Sequence, residues 1–195
     1  YFKVPSMRDK LITIFLEQNQ KLNLSAIRDR EGVKIKHLQD SLKLLETGLF
    51  TPGKFVIDVG TGGGFPLMPL AMSCPETRFL GIDSVRKKTL AVQAMLGELG
   101  VQNAEVLRTR IEDYQGEKAD LLTGRAVAYS DKLLQWSVPL VKKGGALVLM
   151  KQVIPEEKRL LQGLCPRFQL KIEQELKYQL FEGDIERVIY VLRKK

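Results

Sequence analysis

The chain has 195 residues, 44% apolar and 28% charged, a composition that suits one folded domain whose core needs no disulfide framework or structural metal. Cys74 and Cys165 stand apart with no C-x-x-C pair, and the single histidine, His37, supplies too few soft ligands for a zinc site, so no metal is expected. Thirty-one Lys and Arg against 23 Asp and Glu leave a net charge of +8, which favours a polyanionic partner without separating nucleic-acid binding from a generally basic surface.

No apolar run reaches the roughly 18 to 20 residues that span a bilayer, and no basic-then-apolar leader opens the chain. A cytoplasmic protein with no membrane partner is expected, working as a monomer. Tyr1 in the first position suggests a natural start upstream.

Met7, Leu11, Ile14, Phe15 and Leu22 recur at helical spacing, as do Ile35, Leu38, Leu42, Leu45 and Leu49. Two amphipathic helices are therefore predicted, joined by a polar loop over Asn23 to Glu31 and closed by Thr51-Pro52-Gly53. Residues 1–50 read as an N-terminal helical extension packed on a core formed by residues 51–195. Strands are predicted at Phe55 to Val59, Phe79 to Asp83, Glu105 to Leu107, Leu121 to Thr123 and Ala146 to Met150. Helical stretches intervene, clearest at Val85 to Leu99 and Leu133 to Val141. Such alternation builds a mostly parallel sheet covered on both faces. After Pro155 a short helix leads to strands at Phe168 to Glu175 and Arg187 to Leu192, an antiparallel terminal hairpin. The fold class is α/β, Rossmann-like, with seven strands.

The strongest local signal is Asp58-Val59-Gly60-Thr61-Gly62-Gly63-Gly64, directly after one apolar strand and before a helix. Glycines there let the backbone turn tightly at the carboxyl end of the sheet and approach a ligand without an intervening Cβ. Nineteen residues beyond Gly64, Asp83 ends the next strand, where a carboxylate can accept ribose hydroxyls. A dinucleotide fingerprint starting at Gly60 would need glycine where Phe65 stands, whereas D-x-G-x-G-x-G is complete in Asp58, Gly60, Gly62 and Gly64. That register favours S-adenosylmethionine. Asp58 and nearby carbonyls suit the ammonium of its methionine end, although a loop-ordering role fits Asp58 nearly as well.

Further motifs accompany the loop: Asn23-Leu24-Ser25-Ala26-Ile27-Arg28, His37-x-x-Asp40-Ser41, Asp83-Ser84-x-x-Lys87-Lys88, Arg110-Ile111-Glu112, Arg125-Ala126-x-Ala128 and Lys151. In this order and spacing the chain resembles, over residues 20 to 151, the bacterial glucose-inhibited division protein B family. Those proteins are S-adenosylmethionine-dependent methyltransferases of guanine N7 in 16S ribosomal RNA. The resemblance implies that Gly60 and Phe65 lie against the cofactor, that Ile111 and Glu112 flank its adenine, and that Arg125 sits beside the methyl-transfer site as the catalytic residue, also in reach of the cofactor. It departs at Leu67 and Gln152, where the family has glycine.

Guanine N7 presents a lone pair in the neutral base, so no general base is needed and alignment carries the reaction. His37 is left out of the chemistry, as a packing or hydrogen-bonding residue. Arg28, Arg30, Lys34, Lys36, Arg86, Lys87, Lys88, Arg125 and Lys151 are candidate RNA contacts, with 16S rRNA or the small ribosomal subunit as partner. Two alternatives stay open. A small-molecule methyltransferase would leave the basic balance unexplained, and a non-catalytic RNA-binding protein would keep only a vestigial pocket.

Overall fold

The computed structural model describes residues 6–125 and 130–195. Helix α1 (Met7–Leu22) starts at Ser6, whose hydroxyl accepts the Asp9 amide, and stops at Asn23 in the left-handed conformation. A second helical stretch, α2 (residues 30–47), begins earlier than its apolar spacing suggests, because the Asp29 carboxylate accepts the Gly32 amide at 2.7 Å and caps it at Arg30. It is not uniform. Lys34–Gln39 is π-helical and Lys43–Thr47 is 3-10.

The sheet follows as β1 (Phe55–Val59), β2 (Arg78–Asp83), β3 (Ala104–Arg108), β4 (Ala119–Arg125), β5 (Val141–Gln152), β6 (Leu170–Tyr178) and β7 (Arg187–Lys194). Between them run α3 (Leu67–Ser73), α4 (Arg86–Leu99), α5 (Ser130–Ser137) and α6 (Pro155–Arg167). Strand order is β3-β2-β1-β4-β5-β7-β6, with β1 to β5 parallel and β7 antiparallel to both neighbours. All five residues of β1 are buried, as a strand covered on both faces must be.

Most expected elements fall where the spacing puts them. Strand β5 is longer than Ala146 to Met150, because it runs back through Gly144 and Gly145. Gly145 lies so close to β4 that a Cβ there would meet the Asp120 carbonyl at 2.6 Å. Helix α6 is 13 residues rather than short, started by Pro155, whose missing amide costs nothing in a first turn.

Two apolar layers hold the sheet. On one face Leu11 and Phe15 of α1, Val33 and Leu38 of α2, Leu70 of α3 and Met95 of α4 form one cluster with Val56 and Leu121. On the other face Leu133 and Leu134 of α5 and Leu161 and Leu164 of α6 pack with Ile57 and Leu122. Full burial of a side chain such as Phe15 contributes roughly 1.5–3 kcal/mol, so α1 is bound to the sheet by the core itself. Leu67 is also fully buried, packed where a Cβ on Gly81 of β2 would fall 2.7 Å from its Cδ2. No helix among the described residues is long and apolar enough to cross a membrane.

Candidate active site

Strand β1 lies between β2 and β4, so its carboxyl end opens at the point where the strand order reverses, the usual ligand crevice of such sheets. Three side chains tip these strands: Asp58 near the end of β1, Asp83 at the end of β2 and Arg125 at the end of β4. The glycine turn fills the space between them. Gly60, Gly62 and Gly64 have φ values of 65°, 56° and 87°, which a side chain would strain. At Gly62 the space beyond is open, the nearest atom to a Cβ being the Gly60 carbonyl at 3.7 Å.

Asp83 ties the turn down. Its Oδ2 accepts the Gly62 amide at 3.0 Å and its Oδ1 accepts the Val85 amide at 2.8 Å. Each carboxylate oxygen can still accept a second hydrogen bond. On the side away from β4, the Thr109 amide donates to the Asp83 carbonyl, and the 3-10 turn Ile111–Asp113 follows. Ile111 is half-buried there; Glu112 is exposed and 3.6 Å from Arg110.

Asp58 lies beneath the turn, 1% exposed. Thr123 donates to its Oδ1 at 2.7 Å, while Asp58 Oδ2 and Thr61 Oγ1 are buried without a hydrogen-bond partner. Burial pushes the carboxyl up to about 6, against the pull of the Thr123 hydroxyl and the Arg125 charge. Two orphaned polar atoms beneath an open glycine turn fit a ligand carrying a cationic, hydrogen-bonding end.

A cavity of about 180 Å³ opens here, lined by Phe15, Leu24, Ser25, His37, Phe65, Arg125 and Gly60, Thr61, Gly62 and Gly63 of the turn. A larger one, of about 640 Å³, sits beside Met7, Leu42, Met72 and Asn103. Among the described residues its lining includes no carboxylate and none of the glycine turn over residues 60–64, so volume does not mark the site. In the smaller cavity His37 stacks on Phe65 at 5.0 Å and 20°, and Phe15 meets both rings edge-on.

Helix α2 supplies the polar wall. Asp40 sends its amide to the carbonyls of Ile35 and His37 rather than to Lys36, its partner in an α-helix. The Lys36 carbonyl instead accepts from Arg125 Nη1 at 3.2 Å. Arg125 also reaches Asp40 Oδ2 at 3.4 Å and His37 Nδ1 at 3.2 Å. His37 Nε2 lies 2.8 Å from Ser25 Oγ. A guanidinium has only donors, so Nδ1 must accept and the ring proton belongs on Nε2, pointing at Ser25. Burial and the Arg125 charge lower the His37 pKa to about 4, keeping the ring neutral.

The sequence-named residues thus divide. Asp58, the turn glycines, Phe65, Asp83 and Arg125 converge, whereas Ile111 and Glu112 follow the contact between Thr109 and Asp83 in sequence and do not line the cavity. Ala126 and Ala128 lie outside the described residues. Among the basic residues, Arg86 and Lys87 are exposed just past β2, with Lys88 half-buried, and Lys36 is exposed beside Arg125. Arg28 is exposed and donates to Asn23 at 2.6 Å. Arg30 and Lys34 pair with Asp9 and Glu31. Lys151, only 14% exposed, pairs with Glu157 at 3.0 Å. Sequence reasoning gave no site role to Phe15, Ser25, His37 or Asp40. The spacing of three between His37 and Asp40, which sets both on one helix face, was the available signal.

The sheet order and the glycine turn define the Rossmann-like fold of S-adenosylmethionine-dependent methyltransferases. A SAM-dependent methyltransferase from Aquifex aeolicus superposes with a TM-score of 0.67 at 18% identity, covering 91% of this chain and 97% of that one. A family model described as rRNA small subunit methyltransferase G matches residues 6–189, and the chain belongs to that family. Proteins named ribosomal RNA small subunit methyltransferase G are similar to it. The one from Pelodictyon phaeoclathratiforme is 44% identical over 68% of this chain and 58% of its own length. The one from Caldanaerobacter subterraneus is 35% identical over 95% of this chain and 80% of its own. The chain spans 58% to 63% of the length of the first three curated relatives it matches.

Proposed function

We propose that this chain transfers the methyl group of S-adenosylmethionine to N7 of a guanine in 16S ribosomal RNA, as a cytoplasmic monomer acting on RNA of the small ribosomal subunit. The observation that carries the reading is the turn leaving β1, held open by Asp83 and bordered by Arg125 on the far side of the same crevice. When bound, the cofactor supplies an electrophilic methyl group on a sulfonium.

The residues fit that donor. Asp83 keeps lone pairs for ribose hydroxyls, Asp58 Oδ2 and Thr61 Oγ1 offer partners to the methionine ammonium, and Phe65 packs against the sulfonium end. Ile111 and Glu112 border the adenine. N7 carries no proton, so no residue has to remove one. Arg125 aligns the target base or its phosphate beside the turn, and such alignment supplies roughly 7 to 11 kcal/mol of a barrier in favourable cases. Residues 1–50 act as an extension that completes this wall of the site.

Arg28, Lys36, Arg86, Lys87, Lys88 and Lys151 are proposed to bind RNA phosphates; the net charge of +8 supports that assignment. Labelled cofactor supplied with small ribosomal subunits lacking the modification tests the reading. The label should enter RNA at a guanine revealed by N7-sensitive strand cleavage, and its absence from RNA would retire the assignment.

A further inference from the structure

Asp40 is 3% exposed and draws on three parts of the fold. Its Oδ2 faces Arg125 of β4 at 3.4 Å, its Oδ1 accepts the Tyr178 hydroxyl of β6 at 2.7 Å, and Arg187 Nε of β7 stands 3.9 Å away. Arg187 is shared between Asp40 and Asp184, its Nη2 lying 3.2 Å from Asp184, so the shorter contact to Asp40 is the one from Arg125. The strand register explains the meeting. Tyr178 ends β6 opposite Arg187, Arg187 pairs with Gln152 of β5, and β5 pairs with β4 up to Arg125 and Met150. The closing hairpin therefore delivers its tip to the edge of the sheet where the glycine turn lies.

A buried carboxylate is costly unless each oxygen is occupied, and a carboxylate free to rotate would offer Arg125 a shifting partner. The Tyr178 hydroxyl occupies Oδ1 and so fixes which oxygen faces the arginine. Lys43 of α2, paired with Glu46, has its Nζ 5.9 Å from the centre of the Tyr178 ring. Burial and the Asp40 charge push the Tyr178 phenol well above its usual range, so it stays a donor at any working pH.

We propose that Tyr178 and Asp40 are positioning residues: Tyr178 fixes the Asp40 carboxylate, and Asp40, with the Lys36 carbonyl freed by the π-helical turn, fixes the Arg125 guanidinium against the glycine turn. The inference rests on the reading that Arg125 borders the methyl-transfer site. It extends the site to the terminal hairpin, some 50 residues of sequence from β4 yet joined to it through one side chain of the N-terminal extension.

The test measures single-turnover methyl transfer into small ribosomal subunits lacking the modification, for the native chain, Tyr178→Phe, Arg125→Lys and the double variant. Cofactor affinity is followed by calorimetry, and ordering of Arg125 by the exchange of its Nη protons in nitrogen-15 NMR. Tyr178→Phe, which keeps the ring, should slow transfer about ten- to a hundredfold, the range expected for a small misplacement. Cofactor affinity should stay at the native value and the Arg125 Nη signals should broaden. In the Arg125→Lys background the same change should cost nothing more. An unchanged rate in Tyr178→Phe, losses that multiply in the double variant, or unbroadened Nη signals would overturn the proposal. Native transfer by Arg125→Lys would instead remove Arg125 from the transfer site, and the Nη signals would then still decide whether Tyr178 holds it.

Discussion

Asp58 is a carboxylate kept almost entirely from water, and replacing it with asparagine isolates what that burial costs. The side chain keeps its shape, its Oδ1 still accepts the Thr123 hydroxyl, and its new amide faces the side where Thr61 Oγ1 lacks a partner. In the native fold the Asp58 pKa is raised from 3.8 to about 6, so over that interval the folded state holds a proton that the unfolded chain has released. Native stability must then fall as pH rises from about 4 to about 6, and the loss persists above the folded pKa. A raise of about two units is worth about 3 kcal/mol in full, and about 2 kcal/mol of it accrues between pH 4.5 and 7.5. Asparagine does not titrate and escapes the loss. The melting advantage of Asp58→Asn over the native chain should therefore grow by about 4–8 °C between those pH values, at about 2–4 °C per kcal/mol for a chain of this size. Scanning calorimetry of both proteins across the range provides the measurement, and titrating groups not coupled to Asp58 cancel in the difference. A melting difference that is constant with pH, or that shrinks as pH rises, would refute the claim that this carboxylate is buried against its own preference. The same variant should bind S-adenosylmethionine more weakly, because the charge facing the ammonium is gone.

His37 is the only histidine of the chain, so its ring nitrogens can be followed without assignment. Nitrogen-15 NMR should find it neutral at pH 6 with the proton on Nε2, and a ring that titrates near 6.5 would contradict its contact with Arg125. Asp83→Ala should weaken cofactor binding by at least about tenfold, since it removes an acceptor for ribose and frees two amides of the turn, each charge-assisted bond being worth about 1.5–3 kcal/mol; calorimetry with unchanged affinity would take Asp83 out of that role. Affinity for small ribosomal subunits should fall with salt at a log-log slope of about 0.7 to 0.9 per phosphate engaged, and alanine at both Lys87 and Lys88 should flatten it by about 1 to 2. An unaltered slope in filter-binding assays would show those side chains to be merely solvated.

The parts of the site that were legible in the sequence are those that local constraint determines. A glycine turn after a buried strand, and an acid one β-α-β unit later, have fixed positions in a parallel sheet, so their meeting follows from chain order alone. Asp83 indeed holds Gly62, across only 21 residues. The wall of the site was not legible, because it depends on register between distant elements. Arg125 meets Asp40 across 85 residues and Asp40 meets Tyr178 across 138. A lone histidine on an amphipathic helix reads as packing, and His37 does pack, against Phe15 and Phe65. Its polar role appears only when β4 brings Arg125 to its other edge. The π-helical turn is the deeper reason. Apolar residues spaced at three and four predict a regular α2, and a regular helix would pair the Asp40 amide with Lys36. Widening that turn leaves the Lys36 carbonyl to Arg125, an exchange of one local bond for one long-range bond that no local pattern records. The helix gives up its regularity beside a cavity lined by a glycine turn and an arginine, and π-helical turns are frequent at functional sites.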